Sequence, residues 1–362
     1  MNASVPTFAA NNHSAWEIKY RPVEAKRIEE LLSILKGYYV SYADTVEQIE
    51  QVDEAEVNSN NFKITGTKKG EPVTYLLRRV PATRTRNDIE RTLVLVRLLA
   101  ERGVAVPKLL KTDVGDALVT QVDSWYFLFV FIESNHYRGT LAEVADAGRL
   151  IGTLDRELAH ITPDYVHDPT FAFSEAYKKV REFSVPIWED IFSKATLHAA
   201  RESDSFGRQL LARREEIMAS VRDLEAAPAA KCQLMHFDLH PHNLLADGTR
   251  IMVILDFDSV RYVEKMRAVA FALHRLVRQH VVYTRPPNIA PALALAKTAF
   301  IKGYRSQNDL SDAELSVVSY FIKHESLSRL SGAMKEYAST GATAWEQDLA
   351  KQLNNIAEAA YF

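Results

Sequence analysis

Apolar residues recur at helical spacing between Val23 and Leu35, where Ile28, Leu31, Leu32, Ile34 and Leu35 share a face, and Gly37 supplies a helix-stop signal. From Val46 to Thr65 the pattern becomes strand-like: Val57, Phe62 and Ile64 suit a hairpin whose turn contains Asn58-Ser59-Asn60-Asn61. Val73–Val80 alternates as a strand ending in two cations, Arg78 and Arg79. A helix is predicted over Asn87–Arg102, with Ile89, Leu93, Val96 and Leu99 on one face. Trp125–Ile132 is a continuous apolar run of strand length.

Beyond Leu141 the helical period dominates. Leu150, Leu154, Leu158 and Ile161 form a stripe, and Phe173–Trp188 and Leu210–Leu224 supply further helical segments. A short strand over Gln233–Met235 follows. Then comes a hairpin from Leu244-Leu245 to Ile251–Ile254 around the turn signal Asp247-Gly248. Helices are predicted from Pro291 to Tyr304, where proline suits the first helical position, and from Ser311, which opens a capping box with Glu314. A last helix spans Ala344–Ala360. Strands and helices up to Ile132 followed by a mostly helical remainder define an α+β chain.

A length of 362 residues with 47% hydrophobic content supports one or two sizeable cores. The net charge of −3 offers no basic stripe for nucleic acid or an anionic membrane. The single cysteine, Cys232, leads into the Gln233–Met235 strand; it excludes an intrachain disulfide, suits a reducing compartment, and reads as a small buried apolar residue. Met1–Ser14 lacks the charged start and apolar centre of a signal peptide, and the Trp125–Ile132 run is too short to span a bilayer. The expectation is a cytoplasmic protein without a membrane or nucleic-acid partner; its oligomeric state is left open.

The chemistry concentrates in Met235-His236-Phe237-Asp238-Leu239-His240-Pro241-His242-Asn243-Leu244-Leu245, followed by Ile254-Leu255-Asp256-Phe257-Asp258. Phosphoryl transfer from a nucleotide uses one carboxylate at the attacking hydroxyl, and an amide oxygen with a second carboxylate for magnesium. The order H-x-D, then Asn five positions on, then D-F-x after a hairpin is that of protein kinases. The longer string H-x-D-L-H-P-x-N-L-L…I-L-D-F-D resembles the phosphotransferase family that contains aminoglycoside phosphotransferases and choline kinases. The departures are Phe237, where the family has a small residue, and His242, where the small-molecule branch often has Gly. Gly103-Val104-Ala105-Val106-Pro107 and Ile151–His160 resemble the family's G-V-x-V-P connection and its G-x-x-L-A-x-L-H helix.

The resemblance implies a two-lobed protein-kinase-like fold. A small antiparallel-sheet lobe, residues 1–132, binds the nucleotide, and a mainly helical lobe, 133–362, carries the catalytic loop and acceptor site, with the nucleotide in the cleft between them. It implies Mg2+ as cofactor and ATP or GTP as donor. Asp238 is then the base or orienting carboxylate, and Asn243 and Asp256 are magnesium ligands. Arg78, preferred to Arg79, pairs the α- and β-phosphates through its fork. Glu90 is the candidate helix partner of that cation, although the family register falls nearer Thr92. Asn60 and Asn61 stand in the phosphate loop, where no glycine occurs between Val52 and Asn61. The backbone of Phe131–Glu133 would meet the base edge. His236 holds the loop by hydrogen bonds, and Asp258, in the Gly place of D-F-G, either assists a metal or substrate or is structural. The helix opening Glu264–Phe271 lacks the Asp of the family's D-L-A stretch. His160 is read as structural.

The acceptor is a small hydroxyl-bearing molecule such as a sugar, an amino alcohol or an aminoglycoside. Tyr177, Trp188, Glu189, Asp190, Tyr283, Glu325 and Trp345 are candidate lining residues, each with an equally ready role as core or solvated surface. A protein Ser/Thr acceptor of the same fold, and a non-catalytic nucleotide-binding role, stay open. The absence of A-P-E after Asp258 weighs against the first, and retention of Arg78, Asp238, Asn243 and Asp256 against the second.

Overall fold

The computed structural model describes residues 17–53, 60–81, 84–121, 123–161, 184–199, 205–224, 228, 231–343 and 348–362. The described chain falls into two compact units. One holds the residues up to Arg138 together with Pro241–Ser259, and the other holds Gly139–His240 and Val260–Phe362. The sequence-based boundary at residue 132 thus meets a chain that re-enters its first unit with the hairpin that follows the catalytic loop.

The first unit is built on an antiparallel sheet. In chain order come β1 (Tyr20–Pro22), α1 (Ala25–Tyr38), β2 (Thr45–Val52), β3 (Asn60–Lys68), β4 (Glu71–Pro81), α2 (Arg86–Glu101), β5 (Leu109–Leu110), β6 (Val119–Thr120) and β7 (Ser124–Val130). The strand order is β1-β2-β3-β4-β7-β5, with β6 also on β7. The two-residue period sorts each strand between two cores. Leu77, Tyr126 and Leu128 face α1 with its Leu31, Ile34 and Leu35, whereas Val80, Phe127 and Phe129 face α2 with its Ile89 and Leu93. The Trp125–Ile132 run is apolar throughout because both faces of β7 are covered. β8 (Asn135–His136) pairs with the returning hairpin β10 (Leu244–Ala246) and β11 (Ile251–Ile254).

Three local expectations change. Gly37 lies inside α1, which runs on to Tyr38; the buried ring of Tyr39, whose N–H closes the helix on the Leu35 carbonyl at 2.9 Å, sets the exit. Asn60 and Asn61 belong to β3, paired with Arg79 and Arg78, because the Phe62 and Ile64 register carries the ladder that far; Asn58 and Ser59 lie outside the described residues. The Trp125 strand ends at Val130, so Phe131–Glu133 follow it.

The second unit is helical. It contains α3 (Leu141–Ala159), α4 (Val185–Ala199), α5 (Ser205–Ala212), α6 (Arg214–Leu224), the strand pair β9 (Cys232–His236) and β12 (Val260–Glu264), α7 (Lys265–Thr284), α8 (Ile289–Arg305), the single turn α9 (Asp312–Leu315), α10 (Val318–Thr340) and α11 (Asp348–Glu358). Trp188, Phe192, Leu210, Ile217, Leu330 and Tyr337 are among the residues of its helical core. The expected helix over 173–188 appears as α4 from Val185, with 173–183 outside the described residues, as are 344–347 of the last one. Pro291 takes the third position of α8, not the first; no helix N–H is lost, since those of the first turn have no intrahelical acceptor. The Ser311–Glu314 capping box is present. Helices α3 and α8 cross with so little clearance that a Cβ on Gly148 would lie 2.1 Å from the Phe300 carbonyl oxygen, and one on Gly303 2.1 Å from that of Ala145. No helix among the described residues is long and apolar enough to cross a membrane.

Asp155 on α3 is buried, and its Oδ2 accepts the Tyr304 hydroxyl at 2.9 Å. Burial pushes its carboxyl up to about 7. The folded state therefore holds a proton that the unfolded chain releases above the usual carboxylate range, so stability present at acid pH is lost as pH rises toward 7. Asp155→Asn keeps the acceptor and removes the titration. Melting temperatures across pH should show it gaining on the native chain between about pH 4 and 7 and holding that gain above.

Candidate active site

The first unit gathers the D-F-D end of the hairpin, β4 and α2. Asp256 adopts a left-handed backbone, φ 61°, which is uncommon for a residue other than glycine. Its neighbours hold it there: the Leu255 N–H reaches the Asn243 carbonyl at 2.8 Å, the Ile254 N–H the Ala105 carbonyl at 3.0 Å, and the Ser259 N–H the Asp256 carbonyl at 3.2 Å. The first bond ties the two expected metal ligands through the backbone. Asn243 is buried at the end of a short 3₁₀ turn over Pro241–Asn243, and the His242 ring lies 5.2 Å from that of His136 of β8, tilted by 41°.

Arg78 and Arg79 point to opposite faces. Arg79 faces α1, where its Nε donates to the Tyr126 hydroxyl at 3.2 Å and lies 3.9 Å from Glu30. Arg78 faces the other way, with Nη2 3.7 Å from Asp256 Oδ1 and 3.5 Å from Asp258 Oδ2. A second cation, Arg84 from the β4–α2 connection, pairs with the same Asp258 oxygen, while its carbonyl accepts the Trp125 indole N–H at 3.0 Å. The Thr92 hydroxyl of α2 reaches Asp258 too, as well as the Asp88 carbonyl 3.2 Å away. Burial alone would raise the Asp258 carboxyl; Arg78, then Arg84, outweigh it and hold the group below the ordinary carboxylate value.

Glu90 pairs with Arg86 at 2.6 Å on an exposed side of α2. The structure brings Thr92 toward the carboxylates and leaves Glu90 with Arg86. Asn61 sits opposite Arg78 in the β3–β4 ladder, as does Asn60 opposite Arg79. The Phe131 N–H is committed to the Thr74 carbonyl at 3.2 Å, and Lys63 lies 4.7 Å from the Phe131 ring centre and 3.4 Å from Glu133.

The second unit holds His236, Asp238 and their support. His236 is buried at the end of β9, and its Nδ1 accepts the Asp238 N–H at 3.3 Å, the loop-holding bond expected of it. Asp238 Oδ2 lies 3.5 Å from His240 Nε2. Burial acts to raise this carboxyl, but the His240 bond and the charges of His240, Arg329 and His236 bring it below the ordinary value, so it stays ionised at neutral pH. Phe237 is buried, 6.2 Å from the Phe271 ring, with the Arg267 guanidinium 4.8 Å over its face. Arg267 pairs with the buried Glu325 at 3.0 Å.

Of the proposed acceptor-lining residues, Trp188 is core. Glu189 pairs with Arg214, and Asp190 with Lys194 at 2.6 Å. Glu325 is occupied by Arg267 and Arg329, and Tyr283 is half-buried near the end of α7. Tyr177 and Trp345 lie outside the described residues. Sequence reading passed over Arg84, Arg275 and Arg329, and met Thr92 only as the place where the family register falls. For Thr92 a signal existed in the helix register, which places it one turn after Asp88 on the side of Leu95 and Val96.

Asn243 and Asp256 provide an amide oxygen and a carboxylate, both hard donors. No group of three or more His, Cys, Asp or Glu suited to a metal occurs among the described residues. A divalent cation held there would complete its shell with phosphate oxygens and water, as magnesium does in kinase sites.

Residues 49–279 match the model of the phosphotransferase enzyme family. The chain belongs to that family. No curated protein matches it significantly. Among solved structures it is similar to the amicoumacin kinase hAmiN, crystallised with AMP-PNP and Ca2+ (16% identity, 93% of each chain, TM-score 0.61), and to the spectinomycin phosphotransferase APH(9)-Ia with ADP (15% identity, 93% of this chain and 95% of that one, TM-score 0.60). It is also similar to a microcompartment-associated aminopropanol kinase (17% identity, 92% and 95%, TM-score 0.55). The fold is thus the α+β protein-kinase-like fold, and the protein is a phosphotransferase acting on a hydroxyl acceptor.

The Arg84–Asp258 pair should carry real coupling, because both groups are partly buried and in direct contact. In a double-mutant cycle with Arg84→Met and Asp258→Asn, denaturant unfolding should return a coupling energy of about 1–3 kcal/mol. A coupling near zero would show that Arg78 alone holds Asp258.

Proposed function

We propose that this chain is a nucleoside-triphosphate- and Mg2+-dependent kinase that phosphorylates a hydroxyl of a small molecule. The observation that carries it is Asp238: a carboxylate kept ionised by His240 and Arg329, in a loop whose next turn carries Asn243 hydrogen-bonded to the Asp256 segment. Asp238 orients the acceptor hydroxyl and takes its proton as the oxygen attacks the γ-phosphorus. The new oxygen–phosphorus bond forms as the bond to the β–γ bridging oxygen breaks, and the nucleoside diphosphate leaves. Arg78 offers its fork to the α- and β-phosphates, with Asp256 and Asp258 keeping the guanidinium on the α2 side of β4. Asn243 and Asp256 would hold the divalent cation, which neutralises phosphate charge when bound.

The test is ADP and GDP release from Mg-ATP and Mg-GTP across sugars, amino alcohols, hydroxy acids and aminoglycosides. One acceptor class should stimulate release. Asp238→Asn should bind nucleotide as before and lose on the order of 10²-fold or more in turnover. Undiminished turnover in that variant sinks the assignment. Asp256→Ala should weaken Mg-nucleotide binding in calorimetry while leaving metal-free binding little changed; equal loss in both conditions would remove the metal role.

A further inference from the structure

Around Phe271, beside the catalytic loop, the second unit places an excess of cations. The Arg275 guanidinium lies 5.3 Å from the Phe271 ring centre and that of Arg329 also 5.3 Å from it. Arg267 covers Phe237, the residue before Asp238, and Phe237 neighbours Phe271 at 6.2 Å. Arg278 completes the group from α7. These four guanidiniums face two carboxylates. Glu325 takes Arg267 and Arg329, and Glu358 takes Arg278 at 3.0 Å together with His274 at 2.8 Å. Arg275 has no carboxylate within ion-pair distance among the described residues. Burial, then the positive charge of Arg329 and Arg278, pull its guanidinium down to about 10. An arginine in that position is costly to the apo protein and becomes favourable when an anion joins it.

Arg329 remains 41% exposed at its side chain although its Nε donates to Glu325 at 2.9 Å, and its charge is felt at Asp238. The cationic group thus begins at the carboxylate that meets the acceptor hydroxyl and runs inward over an aromatic face. A cationic acceptor such as an amino sugar or a quaternary amine would meet like charge there.

We propose that the acceptor of this kinase carries an anionic group, a carboxylate, bound by Arg275 and Arg329 over Phe271 while its hydroxyl sits at Asp238. The proposal rests on the kinase reading above. Planar guanidiniums fork onto a carboxylate with two parallel hydrogen bonds, and the Phe271 ring lies within cation–π range of both. The Glu325–Arg267 pair, set under Phe237, positions Arg329.

The experiment compares matched acceptors in the nucleoside diphosphate release assay: glycerate against glycerol, serine against ethanolamine, and aminoglycosides and choline as cationic acceptors. The carboxylated members should exceed their partners in kcat/KM by about tenfold or more, the scale of charge-assisted hydrogen bonds. Arg329→Gln and Arg275→Gln should raise KM for the carboxylated acceptor by a similar factor, with KM for the nucleotide unmoved. Circular dichroism and melting temperature serve as the check on folding. Should Arg275→Gln not fold, Arg329→Gln, at the more exposed position, decides alone. Turnover of choline, ethanolamine or aminoglycosides above every carboxylated acceptor overturns this proposal and leaves the kinase intact. A KM rise confined to the nucleotide would likewise overturn it, assigning the arginines to the donor. No stimulated release with any acceptor, with Mg-nucleotide still bound, overturns the kinase reading and this one with it.

Discussion

Two guanidiniums and two carboxylates, Arg78 and Arg84 with Asp256 and Asp258, tie together the parts of the first unit on which phosphate chemistry depends. They come from three stretches: β4, the connection into α2, and the loop after β11, which supplies both carboxylates. Charges at intermediate burial attract more strongly than on a surface, and losing one partner leaves the others uncompensated. Arg78 is held loosely, at 3.5 and 3.7 Å, whereas Arg84 sits directly on Asp258. Among the described residues, buried Nε of Arg78 has no hydrogen-bond acceptor. The cluster thereby separates two duties. Arg84 neutralises Asp258 and fixes the loop, and Arg78 retains donors for an anion.

This division accounts for the third residue of D-F-D. A glycine there would leave the loop to be held by its backbone bonds and by the Arg78 and Ser259 contacts to Asp256. Asp258 adds two ion pairs and a hydroxyl, which over-determine the loop and let Asp256 persist in a left-handed conformation that costs on the order of 1 kcal/mol. The carboxylates beside Arg78 come from residues 256 and 258, while helix α2 contributes Thr92 to Asp258. Glu90 is free for a surface pair with Arg86 for that reason.

Much of this was legible in the chain. The period-two alternation of Val73–Val80 puts neighbouring arginines on opposite faces; Arg78, expected at the phosphates, lies near Asp256 and Asp258, while Arg79 faces α1. The H-x-D…N…D-F-D spacing identified the segments that the structure supports with hydrogen bonds from His236 and the Asn243 carbonyl. What was not legible depended on three-dimensional partners. Gly37 carries a stop signal that the burial of Tyr39 overrides. Asn60 and Asn61 have turn propensity, but strand pairing with Arg79 and Arg78 decides their conformation. Arg84 has no periodic signature in an irregular connection, and nothing local links it to a residue 174 positions on. The acidic candidates for the acceptor pocket, Glu189, Asp190 and Glu325, each pair with a cation instead. Glu325 looks like a cation ligand in one dimension, and only the fold shows that Arg267 and Arg329 already occupy it.

Phe237 shows how a departure from a motif reshapes its surroundings. A small residue between His and Asp needs no neighbour. A phenyl ring there must be buried, and it is covered by the Arg267 guanidinium and flanked by Phe271. A guanidinium so enclosed requires a carboxylate, which Glu325 supplies from α10, and Glu325 in turn draws in Arg329, whose field reaches Asp238. A single large side chain thus links the electrostatics of Asp238 to a helix nearly ninety residues further along the chain. Each step neutralises the last, yet the chain of pairings ends with more guanidiniums than carboxylates near the acceptor hydroxyl. That surplus is where the proposed kinase would select its acceptor, without any change in the residues proposed to handle the phosphate.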